Sequence, residues 1–207
     1  TVSNNSLIVE CGERYRYIGY DEIYLYEYDY SSYYYTGSYS YSVSFDGEGA
    51  LTSAIDYVIN EDLPKLYTLT GHGESELSDT YETAVGKENI EIAELSLLTL
   101  EAVPEDADAI LVLTPQSDIS GQEKTMLEEY LGNGGNLFLI TDPPQSGSLT
   151  NLESLMSRYG VTANEGIVVE GNQNYYAWGT PYYLLPEINS HTITSPLIDS
   201  GYYVLLP

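Results

Sequence analysis

Basic residues are scarce. Lys and Arg together number 6 against 32 Asp and Glu, which leaves the 207-residue chain at a formal net charge of −26. Binding DNA or RNA needs clustered cations to displace counterions from the phosphates, so this balance excludes nucleic acid as a partner. Anionic lipid headgroups are disfavoured for the same reason. A single cysteine, Cys11, rules out an internal disulfide and any multi-thiolate metal site. Histidine occurs only as His72 and His191, and no His-x-x-x-His or Cys pair accompanies them, so neither a metal nor another cofactor is expected. No run approaches the roughly 18 apolar residues that cross a bilayer. The opening Thr1-Val2-Ser3-Asn4-Asn5-Ser6 has neither the basic start nor the apolar stretch of a signal peptide. The absence of an initial Met, and a last stretch from Tyr202 to Pro207 that reads like an incoming strand, suggest an excised piece of a longer protein. Any membrane anchor is then expected outside this chain.

What is present is enough apolar material for a core: 43% hydrophobic residues over a length that suggests one or two domains. Tyrosine is concentrated at the front, with 12 of the 23 lying between Tyr15 and Tyr41. Residues 22–30 alternate Tyr with acidic or apolar groups, a period-2 strand signal, and 31–44 read as a hairpin or a long surface loop. Such a segment makes an aromatic-faced sheet or a sticky surface for a partner or glycan, since Tyr has an apolar face and a polar tip. Leu51, Ala54, Ile55, Val58 and Ile59 then recur at helical spacing.

From Lys65 onward strand alternates with helix. Strands are expected at 66–70, 90–95, 109–114, 136–141 and 166–170. Helices are expected near 78–86, from the capping-box spacing Ser120-Gly121-Gln122-Glu123, and at 149–159. The run 109–114 is apolar, as in a strand covered on both faces, and 136–141 reads as another buried strand. This alternation predicts an α/β fold: a mainly parallel sheet with helices on both faces, flavodoxin-like or Rossmann-like, preceded by a smaller Tyr-rich β segment. Residues 1–63 are expected to close an N-terminal subdomain and 64–207 to form the α/β domain. Ligands of such sheets sit at the carboxyl ends of the strands, where strand order reverses. With the order 2-1-3-4, the polar ends Gly71-His72-Gly73-Glu74 and Thr114-Pro115-Gln116-Ser117-Asp118 flank that point, and Thr141-Asp142-Pro143-Pro144 lies at a third strand end.

The chemistry in these loops is sparse. Gly71-His72-Gly73-Glu74-Ser75-Glu76 begins like a dinucleotide fingerprint, but Glu76 stands where the third Gly belongs, and two carboxylates would face a pyrophosphate. Neither a phosphate-binding Gly-x-x-x-x-Gly-Lys loop nor a Gly-x-Ser-x-Gly elbow occurs. His72 is expected at the end of the first parallel strand, its ring held by backbone or by Glu74, shaping the loop. The glycines beside it supply positive φ, so Gly73→Val is expected to harm folding more than His72→Ala. A late loop, 172–183, groups amides with Tyr175, Tyr176 and Trp178, suiting sugar stacking if it folds over the cleft and otherwise a loop anchored by Trp178. The candidate ligand-binding set is therefore His72, Glu74, Gln116, Asp118, Asp142, Tyr175, Tyr176 and Trp178. The candidate cleft carries no Lys or Arg, which favours a neutral or cationic ligand.

The segments Phe45-Asp46-Gly47-Glu48, Ala50-Leu51-Thr52-Ser53-Ala54-Ile55 and Tyr67-Thr68-Leu69-Thr70-Gly71-His72-Gly73-Glu74 resemble the bacterial gliding-motility auxiliary proteins of ABC transport systems. So do Pro104-Glu105-Asp106-Ala107-Asp108-Ala109, Gly134-Gly135-Asn136-Leu137, Tyr159-Gly160-Val161 and Val168-Val169-Glu170-Gly171-Asn172. The resemblance covers about 46–197 and fits the Tyr-rich front less well. It implies a membrane-anchored accessory subunit whose domain faces outward, beside ABC permease and ATPase subunits, with a saccharide as the expected ligand. Related domains occur in an intraflagellar-transport subunit and near β-galactosidases. The group also resembles the glutamine amidotransferase fold, yet no Gly-rich elbow here carries Cys, which leaves that activity without a nucleophile. The expected function is a non-enzymatic auxiliary domain on the extracytoplasmic face of the plasma membrane. The alternatives are a glycan-acting hydrolase using Glu74, Asp118 and Asp142, or a structural scaffold.

Overall fold

The computed structural model describes residues 4–29, 37–144, 147–164 and 166–206. Contacts divide the chain into two units, Thr1–Gly160 and Val161–Pro207.

The first unit opens with two antiparallel pairs. Strand β1 (Leu7–Cys11) pairs with β2 (Arg14–Ile18), and β3 (Tyr24–Asp29) pairs with β4 (Ser40–Phe45). The single turn α1 (Tyr20–Ile23) lies between them. Period-2 alternation puts Tyr24, Tyr26 and Tyr28 on one face of their strand, opposite Phe45, Val43 and Tyr41. The rings gather there, Tyr26 to Tyr28 at 6.5 Å and Tyr28 to Tyr41 at 6.0 Å between centroids. Of the expected hairpin at 31–44, residues 31–36 lie outside the described residues. Helix α2 (Gly47–Ile59) follows, burying Ala54 and Val58 but leaving Leu51, Ile55 and Ile59 exposed. The apolar stripe is thus covered along only part of its width.

Four parallel strands form the centre: β5 (Lys65–Leu69), β6 (Glu91–Leu95), β7 (Ala109–Leu113) and β8 (Asn136–Ile140), in the order β6-β5-β7-β8. Counted within this sheet, that is 2-1-3-4, so order reverses between β5 and β7. Helices α3 (Asp79–Lys87), α4 (Gly121–Gly132) and α5 (Thr150–Ser157) flank it. The fold is mixed α/β with a small antiparallel segment in front.

The core lies on one face. Tyr67, Leu69, Leu95, Ile110 and Val112 meet Met126 and Leu127 of α4 and Leu152 and Leu155 of α5, with Leu137 and Leu139 packed alongside. Each fully buried Leu or Ile there contributes about 1.5–3 kcal/mol of transfer free energy. Ser120 opens α4 as a capping box: its hydroxyl accepts from Glu123 N and the Glu123 carboxylate accepts from Ser120 N.

The opposite face is thinly covered. Helix α3 is acidic and buries no residue, and Thr68 and Ile92 on this face stay half-buried. Two expectations change. Strand β8, expected to be buried, instead alternates, with Phe138 54% exposed while Leu137 and Leu139 join the core, because it is the sheet edge and only one of its faces is packed. The run 166–170 is not a strand. It makes one ladder-like bond, Glu170 N to Pro181 O, and leaves Ile167, Val168 and Val169 exposed.

The second unit holds the single turn Gln173–Tyr175, a five-residue α6 (Ser195–Asp199) and isolated bridges from Leu184 to Tyr176 and Leu206.

Candidate functional site

The carboxyl ends of β5 and β7 carry a tightly knit polar cluster. Beyond β5 the backbone turns through Gly71 and Gly73, at φ +115° and +77°, a region a side chain rarely adopts. A Cβ at Gly73 would also stand 3.1 Å from Gln116 Cβ. The turn drops His72 into the protein, where it is 5% exposed. Its Nδ1 lies 3.0 Å from Glu74 Oε1, and its Nε2 lies 3.2 Å from the Glu123 carboxylate. The Glu74 and Glu123 side chains are themselves 5% and 2% exposed. Glu74 also accepts from His72 N at 2.7 Å.

Two buried carboxylates around one imidazole set the local electrostatics. The hydrogen bond to Glu74 raises the His72 pKa above its ordinary value against the opposing effect of burial, and the charge of Glu123 adds to the rise. Burial works to raise both carboxyls, but His72 and backbone donors outweigh it and hold Glu74 and Glu123 below the usual carboxylate range.

The β7 end is tied to the same residue. The His72 carbonyl accepts from Gln116 N, Ser117 N and Ser117 Oγ, and Ser75 N donates to Leu113 O. Thr114, β-branched, stands at φ +48°, an outlier for its type, with its Oγ1 2.6 Å from Ser75 Oγ. Strained backbone of this kind persists where surrounding contacts over-determine it, commonly at ligand sites.

Next to this cluster, between α3 and the thinly covered sheet face, lies a cavity of about 930 Å³. It is lined by Thr68, Thr70 and Ser75 and by the acidic residues Glu74, Glu76, Asp79, Glu82 and Glu94, with Ile92, Leu111 and Leu113 forming an apolar floor. No Lys or Arg lines it. Among the described residues, no group of three or more His, Cys, Asp or Glu could hold a metal ion.

The candidate residues therefore separate. Glu74 faces the cavity and, with His72 and Gln116, forms the strand-end cluster. Asp118 is occupied otherwise: its carboxylate accepts from Asn151 N at 2.7 Å and Leu152 N at 3.2 Å, closing the N-terminus of α5. Asp142 is exposed beyond β8. Tyr175, Tyr176 and Trp178 belong to the second unit, where the Tyr175 hydroxyl donates to Glu187 at 2.9 Å. Trp178 does not anchor its loop. It is 78% exposed at φ +52°, its indole lying edge-on to Tyr183 at 5.4 Å.

Sequence reasoning missed Glu123 as part of this cluster. Its capping spacing was legible, and a cap needs only one of its oxygens. Nothing in the sequence pairs it with His72, 51 positions earlier, because only packing of α4 against the strand ends brings the two together.

Among solved structures the chain is similar to the mmIFT52 N-terminal domain, at 19% identity and a TM-score of 0.47. The alignment covers 58% of this chain and 54% of that one, so the chain spans about half the length of the solved protein it matches. No curated protein matches the chain. Residues 63–179, more than half of the sequence and including β5 to α5 with the whole strand-end cluster, match the family model described as ABC-type uncharacterized transport system. The chain belongs to that family of ABC transport auxiliary proteins.

Proposed function

We propose that this chain is a non-enzymatic, extracytoplasmic auxiliary domain working beside ABC permease and ATPase subunits, anchored to the membrane through segments outside the chain, and that its strand-end cavity takes an uncharged, hydroxyl-rich ligand of the saccharide class. The observation that supports the ligand reading is the cavity wall: hydroxyls and carboxylates without a cation, over an apolar floor. Carboxylates and hydroxyls accept from and donate to sugar hydroxyls, while the apolar floor suits sugar C–H faces. A phosphate or carboxylate would meet only like charge, inside a field already at −26. The hydrolase reading is weaker, because Glu74 is committed to His72 and Asp118 to a helix terminus.

Calorimetric titration with neutral oligosaccharides and with anionic metabolites tests the ligand. Binding of a neutral sugar that weakens at least tenfold in Thr70→Val is the expected result. Tight binding of a phosphorylated or carboxylated compound, with no response to neutral sugars, overturns it. Co-purification of the full-length protein with permease and ATPase subunits tests the partners, and its failure in detergent extracts would count against the transport assembly.

A further inference from the structure

His72 faces carboxylate oxygens with both ring nitrogens, at 3.0 Å and 3.2 Å, in a site where all three side chains are nearly inaccessible. A neutral imidazole has one N–H and satisfies only one of these contacts; its other nitrogen turns a lone pair toward an anion. The imidazolium satisfies both. Protonated, the trio carries one net negative charge; deprotonated, it carries two in a buried setting, and one contact becomes repulsive.

The two contacts come from different elements. Glu74 sits on the loop after β5 and lines the cavity, whereas Glu123 sits in the first turn of α4 and also caps it through Ser120 N. The ring therefore straps the cavity rim to a core helix. The third neighbour, the loop after β7, hangs from the His72 carbonyl through Gln116 N and Ser117 N. The charged groups facing the ring are Glu74 from its own loop and Glu123 from α4. The 114–120 segment presents Gln116, Ser117 and Ser120, none of which titrates.

We propose that His72 is a proton-operated latch that closes the strand-end loops onto α4 while the ring is charged and releases the cavity rim when the ring loses its proton. The direction follows from linkage. The folded-state pKa is raised, so the latch is fully engaged below the ordinary histidine value of about 6.5 and is lost as pH rises through the raised value. Within that window the closed state holds a proton the open state has released, and opening becomes about tenfold more favourable per pH unit. The latch operates whatever the cavity binds, and none of its tests uses a ligand.

Two measurements on the whole chain test it. Nitrogen-15 spectra of the imidazole, taken with His191→Gln to leave one histidine, read the protonation state directly. Both ring nitrogens of His72 are expected to carry protons at mildly acidic pH. A neutral tautomer there overturns the proposal. Amide exchange at Ser75, Gln116 and Ser117, corrected for intrinsic rates between pH ~6 and ~9, reads the opening. Protection is expected to fall with rising pH in the native chain and to become pH-independent in His72→Gln. Protection that is flat in the native chain, or an equal slope in the variant, refutes the latch. Should His72→Gln not fold, the spectra of the native ring still decide.

Discussion

Replacing His72 with alanine removes the one cation from between two buried carboxylates, and the structure allows the cost to be worked out. Taking away one partner of a buried charge pair costs about 3–5 kcal/mol, because the remaining charge stays desolvated. Here both carboxylates keep a backbone donor, His72 N for Glu74 and Ser120 N for Glu123, which places the expected loss near the lower end, about 3 kcal/mol. For a chain of this length that is a fall in Tm of about 6–12 °C. By comparison, Gly73→Val forces a β-branched residue into φ +77° with Gln116 Cβ 3.1 Å away, a strain of about 1–3 kcal/mol. Sequence alone ranks Gly73→Val the worse of the two; with Glu123 behind the ring, His72→Ala is expected to cost at least as much. Thermal melts followed by circular dichroism at mildly acidic pH, where the latch is engaged, measure both variants. A His72→Ala protein that melts within about 2 °C of the native chain would correspond to less than about 1 kcal/mol and would refute the charge-clamp account. In that outcome the two carboxylates would have to be neutral or rehydrated in the folded protein.

Two further outcomes rest on other contacts. Asp118→Ala should lower stability by about 1 kcal/mol through loss of the two bonds that close α5, while Asp118→Asn should retain most of it; urea melts of both variants check this, and an equal loss in the two would assign Asp118 a role that depends on its charge. Gly135→Ala would drive a methyl into the Tyr130 ring, whose hydroxyl also accepts from Asn136 N at 3.1 Å. The tyrosine must then move, at about 1–3 kcal/mol, and a Tm unchanged in this variant would show that the ring yields freely.

Much of this molecule is legible in local patterns. The alternation of apolar runs with capped amphipathic stretches specifies the βαβα order. Ser120 and Glu123 mark the start of α4 by spacing alone, and Gly71 and Gly73 announce the sharp turn after β5. These are short-range effects, governed by residues three or four apart and by backbone sterics, so one sequence suffices to read them. Charge is equally plain, since −26 is a sum that no folding alters. Other features depend on which surfaces meet. Phe138 looks like a core residue and lies open because β8 ended at the sheet edge. Ile167, Val168 and Val169 have strand composition but no neighbouring strand to pair with among the described residues. Asp118 resembles a ligand-binding carboxylate until the amides at the start of α5, 33 and 34 residues on, are brought to it. The cluster around His72 is the clearest case. Residues 72 and 74 carry a recognisable turn, but the second carboxylate arrives from 51 positions away. Composition, element order and turn chemistry were therefore determined by the sequence itself; the tertiary structure alone decided which buried charges share a site, because a burial cost and its compensating partner exist only after distant segments pack.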